Sequence, residues 1–346
     1  MPQTLDGAVP DPDPDMAEAA RERLRSLGKP AGSLGRLEGL SVWAAAVQGR
    51  CPPRPFQRAR VVVFAGDHGI AEAGVSTSPA GFTASAVADC LAGAAAVNVL
   101  ARATGATVRV VDMAVDADTP AEVSAYKVRR GSGRIDREDA LTVEEVHDAF
   151  DAGTRIADEE VDGGADLLIA GDVGAGSSTA ASTVVAALTG TEPVHIIGSA
   201  APSTDTGIDD DTWMRKLSAI RDALRRVRGR VGFPALLQIA GGADIAAISG
   251  FVAQAAIRRT PVLLDGLVPV TAALVAREVT PAAVQWWLAA QSSAEPAHAI
   301  ALERLGLDPL LDLGMRHGEG AGALVALPLL DAAVRLLAEL PAGAQT

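Results

Sequence analysis

Short β-branched and apolar runs alternate with longer helical stretches along most of this chain. That alternation constrains the fold more than any other feature. Residues 60–65 (RVVVFA), 107–111 (TVRVV), 165–170 (ADLLIA), 194–197 (VHII) and 261–264 (PVLL) read as buried strands, with a weaker one at 236–239. Residues 83–102, 143–160, 178–188, 211–226, 244–258 and 270–276 read as helices. Strands separated by helices predict βαβ units, hence an α/β fold with a parallel sheet covered on both faces. Ligands of such sheets sit outside the carboxyl ends of the strands. The loops that directly follow the strand runs are therefore the places to look for function.

The flanks differ. The acidic, proline-rich residues 1–15 read as a disordered leader, followed by helices at 16–25 and 37–48. After Pro281 the chain reads as helical apart from two glycine-rich breaks. The length of 346 residues fits two domains, or one large domain with an appendage. Lys plus Arg number 30 against 43 Asp plus Glu, a net charge of −13, which argues against nucleic-acid or anionic-membrane partners. Two cysteines make no disulfide framework or zinc cluster and point to a reduced, cytosolic compartment. The N-terminus lacks the pattern of a signal peptide, and the longest uncharged stretch, 173–191, is too rich in Gly, Ser and Thr to span a membrane.

Five loops could carry chemistry. In 64–70, Asp67 and His68 fit a loop-organising role better than a substrate-binding one. Residues 171–179 (GDVGAGSST) follow a strand and open a helix, where backbone N–H groups, helix dipole and hydroxyls converge. An anion cradle is the favoured reading over an ordinary turn. It is neither a Walker A loop nor a GxGxxG fingerprint. Lys216, on the helix behind 206–210, is as consistent with a solvated lysine as with a ligand for an anion in that cradle. The acids Asp209 to Asp211 fit a helix N-terminus. Glu295 and His298 have a spacing that metal helices use, but nothing supports them and no metal is predicted. Ser293 fits either a ligand contact or a cap. Glu319, between two glycines and ahead of an apolar helix at 323–337, is equally readable as a general base and as helix charge compensation.

Taken in order, KPAGSLGRLE (29–38), AGDHGIAEAGVS (65–76), AAAVNVLAR (94–102), VVDMAV (110–115), GDVGAGSST, TGIDD (206–210) with Lys216, TPVLLDG (260–266), SAEPAH (293–298) and LLDLGMRHGEGAGA (310–323) resemble the nicotinate-nucleotide–dimethylbenzimidazole phosphoribosyltransferase family. The resemblance covers most of residues 27–340. It implies a Rossmann-like parallel sheet plus a small helical domain built from both chain ends, in a homodimer. The expected boundaries are 56–285 for the large nucleotide-binding domain and 16–55 with 286–346 for the small one. The implied reaction transfers phosphoribose from nicotinate mononucleotide to 5,6-dimethylbenzimidazole. It yields α-ribazole 5′-phosphate for the cobalamin lower ligand, plus nicotinate, and it needs no cofactor.

By the same resemblance Glu319 is the general base acting on the benzimidazole N–H. The phosphate region comprises Gly174, Gly176, Ser177, Ser178 and Lys216, while Ser76, Asp172 and Ser293 belong to the substrate site. Ser85 stands where the family commonly places a glutamine for the aromatic base. Other departures cluster in ligand loops: Ala175, Ser177 and Ser178 replace Ile, Asn and Thr, and the Gly-Arg-Gly before Thr-Gly is absent. Residues 198–205 look longer than usual, and Gln291-Ser292 replaces His-Arg. Two alternatives stay open: a paralogue with another base or nucleotide, and a non-catalytic nucleotide-binding partner subunit.

Overall fold

The computed structural model describes residues 9–79, 81–197, 209–230 and 232–343. Five parallel strands form one sheet in the order β2-β1-β3-β4-β5: β1 (Ala59–Gly66), β2 (Thr107–Ala114), β3 (Leu167–Val173), β4 (Val262–Leu264) and β5 (Trp287–Ala289). The chain leaves β1 for β2 on one side and returns to β3 on the other, so the connections reverse direction at β1/β3. In open α/β sheets that reversal opens a crevice for ligand. The register places Phe64 beside Val111 and Asp172, so the loops after β1 and β3 emerge together.

Period-two alternation divides the strands between two cores. Val62, Phe64, Leu168, Ala170, Val262 and Leu264 face one layer. That layer includes α6 (Val143–Asp162), α7 (Ser177–Thr189), α11 (Ala243–Ile257) and α12 (Leu267–Val279). Val61, Val63, Ala65, Leu167, Ile169 and Leu263 face the other. There α3 (Phe82–Leu91), α4 (Ala96–Thr104) and α14 (Ala321–Glu339) close the sheet. Small residues let α6 and α11 almost touch: a Cβ on Gly153 would lie 1.8 Å from the Ala247 carbonyl oxygen. Thr142 and Glu145 close a capping box that starts α6.

The two ends of the chain meet. Helices α1 (Pro14–Ser26) and α2 (Arg36–Gln48) pack with the end of α14 through Leu24, Leu27, Ala45 and Leu337. Arg23 donates to the carbonyl oxygens of Leu337 (2.6 Å) and Ala338 (2.9 Å). Helices α5 (Ala121–Ser124), α9 (Asp210–Val227) and α13 (Pro296–Leu305) lie in the connections between strands or after β5.

Several expectations need correction. Residues 9–15, read as part of a disordered leader, are placed: Trp286 donates to the Pro10 carbonyl, and Asp13 caps α1 with Pro14 in its first turn. Asp-Pro is a helix start signal, which outweighs the compositional reading. Residues 194–197 are not a strand but part of α8 (Pro193–Ile197), and 236–239 belong to α10 (Phe233–Ala240). Both runs follow a proline that suits a first helical turn, and periodicity cannot separate short apolar strands from helices. The predicted helix 83–102 is two helices, α3 and α4, separated around Gly93, whose φ is 73°. The C-terminal third also contains β5, which joins the main sheet although the expected boundary assigned residues from 286 onward to the small domain. Residues 198–208, including the Thr206-Gly207-Ile208 part of the third loop, lie outside the described residues.

Candidate active site

The loops after β1, β3 and β4, with the segments that precede α13 and α14, enclose a cavity of about 370 Å³. Of the predicted residues, Ser76, Asp172, Gly174, Gly176, Ser177 and Ser178 line it, as do Lys216, Ser293 and Glu319. Ser85 does not: it is exposed on α3, although Phe82 one turn earlier borders the cavity.

The floor is held by polar contacts behind the glycine loop. Asp67 accepts from the Thr83 hydroxyl (2.5 Å) and from the Asp116 N–H (2.8 Å). The Thr83 hydroxyl oxygen in turn accepts from the Ala175 N–H at 3.1 Å. His68 donates its backbone N–H to the Ala175 carbonyl (3.0 Å), and its ring Nε2 lies 3.0 Å from Asp244 in a fully buried pair. Burial is the strongest single influence and opposes charge on His68, but Asp244, Asp67 and Asp172 together raise the imidazole pKa. Asp67 and His68 thus organise the loop, as expected.

The glycine loop delivers Ser177 and Ser178 at the start of α7, with Gly176 in the left-handed region. Lys216, from α9, donates to the Ser178 hydroxyl at 3.1 Å. Burial lowers the pKa of this lysine, while the negative Glu295 pulls it back upward. Arg215 beside it donates to the Gly74 carbonyl and anchors α9 to the loop that leads to Ser76. Asp209 caps α9 by accepting from the Thr212 N–H, the helix-start role anticipated for the three acids.

Carboxyl groups line the other side. Burial pushes the Asp172 pKa up to about 8, and the negative Asp244, Glu295 and Asp265 act in the same direction. The Ser177 hydroxyl, 3.4 Å away, opposes this only in part. Near neutral pH Asp172 is therefore largely a neutral acid, able to donate a hydrogen bond. Buried Asp265, raised to about 7 mainly by burial, accepts from Gln291 and from the Gly322 N–H, both at 3.0 Å. It ties the end of β4 to the start of α14. Ser293 accepts from the Glu295 N–H (3.2 Å) and donates its own N–H to His298 Nδ1 (3.2 Å). Burial lowers His298 to about 4, so this ring is a neutral acceptor and part of the loop's internal structure.

Glu319 enters on a strained backbone. Its φ is 65°, a region that L side chains rarely adopt, and its N–H donates to the Asp172 carbonyl at 3.1 Å. A Cβ on Gly171 would lie 2.4 Å from the Glu319 carbonyl carbon, so only glycine on β3 admits this approach. The Glu319 carboxylate is 10% exposed and lies 3.3 Å from His317 Nε2. Asp265, Gln291 and His317 escaped the sequence reading as site residues. Their signals were an Asp-Gly directly after a buried strand, the Gln291-Ser292 departure in a ligand loop, and a histidine two residues from the glutamate.

A switch-point crevice holding a glycine loop, a half-buried lysine and a carboxylate can fix a phosphate and move a proton beside it. In accord with this, a phosphoribosyltransferase family model matches residues 9–346, so the chain is a phosphoribosyltransferase by family. Relatives are specific. The nicotinate-nucleotide–dimethylbenzimidazole phosphoribosyltransferase of Mycolicibacterium paratuberculosis is 58% identical over 339 residues, covering 97% of this chain and 96% of its own. That of Mycobacterium tuberculosis is 59% identical over 334 residues, covering 96% and 91%. The crystal structure of the enzyme of the same name from Thermus thermophilus superposes with a TM-score of 0.89 at 37% identity, covering 95% of this chain and 97% of that one. The chain belongs to the nicotinate-nucleotide–dimethylbenzimidazole phosphoribosyltransferase family.

Proposed function

We propose that this protein transfers phosphoribose from nicotinate mononucleotide to 5,6-dimethylbenzimidazole, giving α-ribazole 5′-phosphate and nicotinate. The observation that carries the reading is the placement of Glu319 in one cavity with Ser177, Ser178 and Lys216. The start of α7 and Lys216 hold the 5′-phosphate, and Ser76 and Ser293 contact the substrates. A fixed phosphate orients the ribose, so the base attacks an anomeric carbon already in position. The carbon gains oxocarbenium character as nicotinate departs, and Glu319 removes the N–H proton of the attacking base. Attack opposite the leaving pyridine inverts the anomeric carbon. Asp172, as a neutral acid, offers a hydrogen bond beside the phosphate.

The same reading makes the protein a cytoplasmic homodimer with no nucleic-acid or membrane partner. Phe82, Leu91 and Val99 on α3 and α4 are large apolar side chains left exposed, which suits coverage by a second copy. Ser85 is also exposed on α3, so coverage of that helix by a second copy would place it near a subunit boundary. The apolar stretch Phe82–Thr104 has the composition of a membrane span. Its break divides it into helices of 10 and 9 residues, each about half the ~30 Å hydrocarbon thickness. We further assign 56–285 to a nucleotide-binding unit and the two chain ends to a helical one, with β5 joined to the former. The packing of α1 and α2 on the end of α14 supports that division, while the rest of α14 covers the sheet.

The test uses purified protein with nicotinate mononucleotide and 5,6-dimethylbenzimidazole, with products identified by chromatography and mass spectrometry. Nicotinate release matched by α-ribazole 5′-phosphate is the expected result. Folded protein that turns over another base or nucleotide would favour the divergent paralogue. Turnover only after a second subunit is added would favour the non-catalytic partner.

A further inference from the structure

His317 stands beside the carboxylate to which the proposed reaction assigns the proton. Its Nε2 lies 3.3 Å from Glu319 Oε2, an oxygen that is buried and makes no regular hydrogen bond among the described residues. The His317 side chain is 50% exposed against 10% for Glu319. The imidazole therefore spans from a buried carboxylate to solvent. Proton release through such a bridge needs no change in the cavity walls.

We propose that His317 is a positioning and proton-relay residue: it orients the Glu319 carboxylate and passes to water the proton that Glu319 takes from the incoming base. The inference rests on the reaction proposed above, whose balance creates the need. Nicotinate mononucleotide enters with a pyridinium ring. Its C–N bond breaks, the electron pair returning to the pyridine nitrogen, and a new C–N bond forms to the benzimidazole. One proton per turnover is released from the benzimidazole N–H. Glu319 accepts that proton and hands it to neutral His317 through Nε2. The imidazolium then loses its Nδ1 proton to water, Glu319 returns to the carboxylate, and proton exchange of the exposed ring with water restores the Nδ1–H tautomer for the next turnover.

The groups around the pair set its working range. Glu319 and, at the end of β4, Asp265 act on His317, while Cys90 on α3 faces Glu319. Across the same cavity stand Asp172, Glu295 and Lys216, with Arg316 beside the histidine in sequence. The adjacent Glu319 carboxylate raises the His317 pKa above its ordinary value, and partial burial opposes it. Below that pKa the imidazole is already loaded and cannot accept a proton. Turnover should accordingly rise with pH through the His317 titration.

The experiment compares kcat against pH for wild type, His317→Gln and His317→Ala, with the His317 pKa read by NMR of labelled histidine in wild type and Glu319→Gln. Wild type is expected to show a limb above the ordinary histidine value of about 6.5. His317→Gln should keep both KM values within about twofold and lose the limb. Its kcat should fall roughly tenfold, less than the 10²–10⁴ supplied by general acid–base catalysis as a whole. Added imidazole should restore His317→Ala in a concentration-dependent way. A His317 pKa unmoved by Glu319→Gln overturns the pairing. A His317→Ala enzyme within twofold of wild type at every pH, and indifferent to imidazole, overturns the relay. Absence of wild-type turnover overturns the reaction and the relay with it, whereas the pairing still stands or falls by the resonance.

Discussion

The backbone N–H of Glu319 donates to the carbonyl of Asp172 at 3.1 Å, joining a loop to the end of a strand far away in sequence. Through this bond the loop ahead of α14 is registered against the strand that feeds the glycine loop. Positions of the general base and of the phosphate cradle are thereby coupled.

Glu319→Gln tests the base directly. Glutamine matches the shape of glutamate and faces the same backbone demand at φ 65°, so folding should survive. Turnover should fall by about 10²–10⁴, the range of general-base contributions. Steady-state formation of α-ribazole 5′-phosphate, alongside circular dichroism, gives the answer. A variant within tenfold of wild type removes Glu319 from that role.

Gly171→Ala tests the close approach. The added methyl meets backbone atoms of Glu319 and Gly320 at 2.4 and 2.5 Å, and neither can swing away as a side-chain tip would. A loss of about 1–3 kcal/mol in stability is expected. The displaced Glu319 should also lower turnover beyond what the stability change explains. Thermal melts with kcat measured well below Tm separate the two effects; an unaltered Tm would show that the loop sits farther from β3.

Asp172→Asn carries a prediction about pH and stability. The Asp172 pKa is raised in the folded protein to about 8 from an ordinary 3.8. Between those values the native state keeps a proton that the unfolded chain has lost. Wild-type stability therefore declines from this source as pH rises from about 4 to about 8. Asparagine has no such proton. The Tm of the variant minus that of wild type should grow across this interval and level off above it. A difference independent of pH would mean that Asp172 ionises normally in the fold.

Lys216→Ala should weaken nucleotide binding by about 10- to 100-fold, as loss of a charged hydrogen bond of roughly 1.5–3 kcal/mol requires. Binding of the aromatic base should change much less. In wild type, nucleotide affinity should also decline at high pH, where a lysine with a lowered pKa loses its charge. Calorimetric titration with each substrate decides; equal losses for both would mean that Lys216 acts through the fold.

Local patterns made the central strands and their loops legible. Val61 to Phe64 and Leu167 to Ala170 are dense apolar runs with no rival explanation, and the strand-glycine-hydroxyl-helix order marked residues 171–179 as a cradle. Runs at 194–197 and 236–239 misled because their apolar content fits both helix and strand, and the prolines at 193 and 234 decided the outcome. Trp287 to Ala289 failed for another reason: three residues are too few to show a period, and pairing with β4 makes them a strand. Individual site residues could be nominated from loops. Their mutual contacts could not, since Asp265 meets Gln291 and Gly322 only after the sheet is assembled. The exposure of Ser85 is likewise a property of how α3 packs.

Helix α14 starts two residues after Glu319 and is docked by apolar contacts along the sheet and by Arg23 at its far end. The chain therefore supplies its phosphate cradle and Lys216 well over a hundred residues and about one hundred residues, respectively, before its base. A nascent protein on the ribosome cannot complete this centre until α14 has left the exit tunnel. Truncation that reaches back through α14 removes chemistry before it removes the sheet, so degradation from that side silences the protein first.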